Sequence, residues 1–127
     1  MVLAVGHSAR DTYSMIMRRG YEVVPKAFSM GLRIEHLRED IDRSLYGDDA
    51  GHPLLPPAEY AMSRHYGERT AYTFCMCPGG EVVAASSEEG LLAVNGMSRY
   101  ARDGRNSNSA VLVSIAASDT PDGQIEL

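Results

Sequence analysis

Three groups of residues have types and spacings that could do chemistry. The first is Gly6-His7-Ser8-Ala9-Arg10, at the joint between an apolar run and a helix-forming stretch. A serine there invites comparison with the nucleophile elbow, G-x-S-x-G, whose glycines let neighbouring backbone approach a strained turn. Arg10 stands where the last glycine belongs, and its side chain would crowd that approach. Ser8 is therefore expected to cap the helix, worth ~1 kcal/mol, and free N–H groups at such a start can also hold an anion or a cofactor oxygen.

The second group is Cys75 and Cys77, two apart in a strand-like run, so their side chains are expected on one face. In a regular strand their Cα atoms would be about 6.6 Å apart with parallel Cβ vectors, which disfavours a mutual disulfide. Packed core and a redox thiol facing a cofactor are both open to them. Zinc would need further thiolate or imidazole ligands, and His7, His36, His52 and His65 are scattered without ligand spacing, so no metal site is expected. The third group is Arg99, Arg102 and Arg105, with Asp103, Asn106 and Asn108. Spaced by three, the arginines would share a face of a helix and could grip a carboxylate or phosphate; as a loop the stretch would be a solvated connector.

The elements that must position these groups follow from periodicity and punctuation. Val2 to Val5 reads as a short buried strand, and Ser8 with Asp11 as a capping box. Tyr13, Ile16 and Met17 mark one helical face, closed by Arg18, Arg19 and a left-handed Gly20. In AFSMGLRIEH, Phe28, Met30, Leu32 and Ile34 alternate, predicting a strand. Leu37, Ile41 and Leu45 predict a short helix ending at Gly47, followed by a loop over 47–57. Residues 60–66 suggest another strand. RTAYTFCMC, residues 69–77, is a further strand; Pro78-Gly79-Gly80 suits a type II turn. EVVAAS and the run 91–94 would complete an antiparallel three-stranded meander, and AVLVSIA, 110–116, is the last strand.

The chain has 127 residues, 44% hydrophobic and 23% charged, as an ordinary globular domain does. A net charge of −5 argues against nucleic acid as a partner. No apolar run approaches the ~20 residues that span a bilayer. With two cysteines and no leader-like segment, the expected compartment is the cytoplasm.

Four blocks, VLAVGHSARDT, AFSMGLRIEH, TFCMCPGGEVVAASSEEG and VNGMSRYARDGRNSNSA, occur in the order found in the uncharacterised FAD-dependent dehydrogenases, also called NAD(FAD)-utilising dehydrogenases. The chain resembles that family over residues 2–116. The resemblance implies a parent several times longer, a flavoprotein with a Rossmann-like FAD domain interrupted by an inserted domain. It implies that Gly6, His7, Ser8 and Arg10 line the FAD, with Val5 standing where the family pattern carries a threonine. It places Cys75, Cys77, Asn95, Arg102, Arg105 and Asn106 about the substrate pocket, and it assigns no catalytic residue. No G-x-G-x-x-G is present, so the chain is expected to be an internal fragment that holds FAD weakly or not at all.

The expectation is thus an α+β fold, an antiparallel sheet of four to six strands with two or three helices. Residues 1–26 would be the remnant of the FAD domain, 27–117 the inserted cover domain and 118–127 a tail. The partners would be flavin and a small-molecule substrate, through the parent. The alternative is a non-enzymatic module that pairs with another chain through the exposed edge of Val2 to Val5.

Overall fold

A computed structural model describes residues 2–24 and 26–119, so the tail from residue 120 lies outside the described residues. Contacts divide the chain into two units, Met1–Phe28 with Ile115–Leu127, and Ser29–Ser114.

In the first unit one α-helix among the described residues, α1 (Arg10–Arg18), stands where Tyr13, Ile16 and Met17 predict it. Residues 2–6 are not a strand. A β-conformation is held by ladder hydrogen bonds to a neighbour; no described residue pairs with this run, and Val2 is 92% exposed. The cap also differs from expectation. Ala9 is the N-cap residue and no side chain caps the helix, because the Ser8 hydroxyl turns to His7, 3.2 Å from Nε2. The Asp11 carboxylate accepts the N–H of Thr12 at 2.8 Å. Gly20 closes the helix as expected, at φ +79°, donating its N–H to the Met17 carbonyl at 2.9 Å.

The second unit holds six strands and one α-helix. β1 (Phe28–Leu37), β6 (Asn106–Ile115), β3 (Arg69–Cys77) and β2 (Ser63–Tyr66) form one sheet in that order. β2 and β3 are an antiparallel hairpin, and β3 pairs antiparallel with β6. Across β1 and β6, Arg33 meets Asn108 and Glu35 meets Asn106; one number rises as the other falls, the antiparallel sense. β4 (Gly80–Ala84) and β5 (Val94–Ser98) pair only with each other. The expected three-stranded meander is therefore not formed. Pro78-Gly79 turns the chain as predicted, with Gly79 at φ +60°, but it carries the chain off the main sheet, because β6 already occupies the free edge of β3. The third hairpin strand also begins at Val94 rather than Leu91. α2 (Arg38–Tyr46) ends at Gly47, φ +58°, as its spacing predicts.

Register assigns the sheet's two faces. Tyr72 donates to the Ser29 hydroxyl at 2.8 Å and Arg33 to Asn108, so the odd-numbered β1 residues share a face with Tyr72, Asn108 and Leu112. Met30, Leu32 and Ile34 lie on the other face, with Ala71, Thr73, Val111 and Val113. That face is apolar and open, with Leu32 78% and Met30 62% exposed. The tightly buried part of the unit is instead small and polar: Ser107, Asn108, Ser109 and Ala110 at the start of β6, with Cys77 and Pro78.

Candidate functional site

The buried start of β6 faces the CPGG turn, and backbone there approaches backbone. A Cβ on Gly79 would overlap the Arg102 carbonyl, and one on Gly104 would overlap the carbonyl of Gly79. Only glycine fits either position. The turn and the 102–104 loop thus interlock, and the Ser107 hydroxyl receives the Gly79 N–H at 3.2 Å. Beside them a cavity of about 310 Å³ opens against the β4–β5 ladder and the loop at Asp103 and Gly104, lined by Gly80, Glu81, Ser98, Arg99 and Asp103.

β3 is irregular where it approaches this turn. Phe74 pairs with Ala110 and Cys77 with Asn108, so Cys75 and Met76 together oppose Ser109. This is a β-bulge, the insertion that bends a strand and re-aims a side chain. Its first residue, Cys75, has φ +50°, a left-handed conformation that costs a non-glycine residue roughly 1–2 kcal/mol. The two thiols meet different environments: Cys75 is exposed, Cys77 is buried, and both are free. The Cys77 Sγ lies 3.4 Å from the Cys75 carbonyl oxygen.

Arg33 of β1 holds the bulge. Its guanidinium donates to the Cys75 carbonyl at 3.2 Å and to Asn108 Oδ1 at 2.6 Å. That bond fixes the Asn108 amide, leaving its buried Nδ2 without a partner among the described residues. Gly96 of β5 lies over the group, where a Cβ would come 2.8 Å from the Cys77 sulfur and overlap Asn108 Oδ1. Burial pushes the Cys77 thiol above its ordinary pKa, and the neighbouring Cys75 side chain pushes the same way. The positive charge of Arg33 and a hydrogen bond with Ser98 oppose them without prevailing.

The arginines of the third group do not share a helical face, because residues 99–105 form a turn and irregular loop, with Arg102 at φ +51°. Arg102 is paired with Glu59 and its carbonyl accepts from Arg38 at 3.2 Å. Asn106 donates to Glu35 at 3.1 Å, and the Arg105 carbonyl receives the Arg38 N–H at 3.0 Å. Asn95 Oδ1 accepts the N–H of the adjoining Gly96 at 2.9 Å. Arg102 and Asn106 are thus engaged in holding the loop against α2 and β1, while Arg99 reaches the cavity. Asp103 of the same group also lines the cavity, whereas Glu81 and Ser98 are cavity residues that the sequence did not single out, and Arg33 is the residue it missed at the thiols. A lone arginine among alternating strand residues reads as an ordinary solvent-facing position.

In the first unit, Gly6 and Tyr13 are joined by a hydrogen bond from the phenol to the carbonyl at 2.9 Å. His7 and Ser8 are exposed, and Arg10 begins α1. Among the described residues, no three His, Cys, Asp or Glu side chains group closely enough to hold a metal ion, and no helix is long and apolar enough to cross a membrane.

Residues 27–126 match the family model described as FAD-dependent protein, C-terminal domain-like. An uncharacterised protein of Clostridium beijerinckii is 50% identical over 121 residues, covering 94% of this chain and 23% of that protein. The chain thus spans about a quarter of the length of this relative.

Proposed function

Because the chain belongs to the FAD-dependent protein, C-terminal domain-like family, we propose that it forms the part of a longer flavoprotein that covers the flavin and its substrate. The observation that carries this reading is the open face of the four-stranded sheet. Met30, Leu32 and Ile34 stand there 62%, 78% and 43% exposed, a contiguous apolar row of the kind that marks an interaction surface. The Clostridium relative, more than four times longer, has ample chain to occupy it.

The residues at the start of α1 do not fit a flavin pyrophosphate by themselves. Asp11 puts a negative charge into the first turn of the helix, where a phosphate would have to sit, and the glycine fingerprint is absent. In this reading Gly6, His7, Ser8 and Arg10 lie beside a cofactor whose phosphates are held by the rest of the longer protein. Bound there, the flavin supplies the redox chemistry. This chain's own contribution is the cavity of Glu81, Ser98, Arg99 and Asp103. With one cationic and two anionic side chains, it suits a polar substrate carrying a positively charged or hydrogen-donating group.

The test is an FAD titration of the purified chain, followed by flavin fluorescence and by the colour of protein leaving a gel-filtration column. The expected result is no retained flavin. Retention at micromolar FAD would place a complete cofactor site within these residues and overturn the cover-domain reading.

A further inference from the structure

We infer that Cys75 and Cys77 form a dithiol–disulfide pair that exchanges with small-molecule disulfides. The objection to a C-x-C disulfide rests on a regular strand, in which the two Cα atoms stand at the limit of disulfide geometry and the Cβ vectors run parallel. The bulge removes that premise. Cys75 is left-handed, the two residues Cys75 and Met76 are folded against the single Ser109, and the Cys77 sulfur sits against the Cys75 carbonyl.

Their surroundings divide the labour of exchange. Cys75 is at the surface and can meet an incoming disulfide, whereas Cys77 is 8% exposed. In the first step the Cys75 thiolate attacks one sulfur of the small disulfide. A mixed disulfide forms and one small thiolate leaves. In the second step Cys77 gives up its proton and attacks Cys75 Sγ. The protein S–S bond forms and the second small thiolate departs. The protein loses two electrons and two protons, and the small disulfide takes up both to become two thiols. Arg33, Ser98 and Asn108 Nδ2, which belongs to the residue opposite Cys77 in the ladder and has no partner among the described residues, are the groups available to support a transient negative charge on the buried sulfur. This cluster has no part in the cover-domain reading and stands or falls independently of it.

The experiment treats the reduced chain with oxidised glutathione and follows intact mass and free thiols. The chain has only these two cysteines, so the product is unambiguous. The expected product is a monomer lighter by two hydrogens, with no free thiol and no glutathione attached, restored by dithiothreitol. C77S is expected to stop at the mixed disulfide on Cys75. C75S is expected to react at least ~10-fold more slowly, since its remaining thiol is buried. Wild-type chain that stops at the mixed disulfide, keeps both thiols, or cross-links into dimers would overturn the inference.

Discussion

At Cys77 two influences oppose each other within a few ångströms, and the balance predicts a measurable pH dependence. Burial and the neighbouring Cys75 raise its pKa above the ordinary thiol value of 9.0, while Arg33 and Ser98 fail to bring it back. The folded state therefore keeps the Cys77 proton at pH values where the unfolded chain has released it. Stability must then fall as pH rises above about 9, and the loss continues up to the raised folded pKa. Urea denaturation of wild type and C77A across this range isolates the contribution, since every other titrating group is common to both. The wild-type curve is expected to decline more steeply; parallel curves would show that the buried thiol does not titrate differently on folding. Sequence spacing placed both cysteines in one strand and kept them unpaired. It could not show the bulge, because the extra residue is defined only against Ser109, more than thirty positions away. Arg33 was invisible for the same reason: its role comes from a carbonyl and an amide on two other strands.

The elements themselves were legible where the signal is local. Met30, Leu32 and Ile34 alternate and lie in β1; Leu37, Ile41 and Leu45 predict α2, and Gly47 ends it. Pairing was not legible. Pro78-Gly79-Gly80 has the composition of a hairpin turn, yet β3 gives its edge to β6, a partner that no turn sequence announces. What Gly79 requires is also a tertiary matter, and it can be measured against a second glycine. Gly67 and Gly79 both have positive φ, +57° and +60°, but a Cβ on Gly67 meets nothing within 4 Å whereas one on Gly79 overlaps the Arg102 carbonyl. Gly67→Ala is expected to cost about 1 kcal/mol from backbone strain alone. Gly79→Ala carries the same strain and also forces the CPGG turn away from the 102–104 loop, adding roughly 1–3 kcal/mol of overpacking. Equal urea midpoints for the two variants would mean that the interlock of turn and loop is absent in solution.

For the whole molecule the governing fact is where the apolar surface lies. The interior at β6 is made of Ser107, Asn108, Ser109 and Ala110, small residues chosen by close backbone approach, while long apolar side chains of β1 face outward. A chain that kept those side chains for its own core would lose stability if one were charged; a chain that holds them for a separate surface would not. Leu32, 78% exposed, discriminates the two. Leu32→Lys is expected to leave the unfolding free energy within about 0.5 kcal/mol of wild type, as for other surface substitutions. It should also lower binding of a hydrophobic dye such as ANS, by about half if the row from Met30 to Ile34 forms the main exposed patch. A loss of more than ~2 kcal/mol would mean that Leu32 is buried in solution, and the open face would then be closed by the chain itself. With stability unchanged and dye binding reduced, the row remains an outward surface. In that case the same lysine, placed in the longer Clostridium beijerinckii relative at the position that aligns with Leu32, should weaken the hold of this region on the rest of that protein. Limited proteolysis would register the change as faster release of the corresponding fragment, whereas an unaltered cleavage rate would show that the covering contact lies on another face.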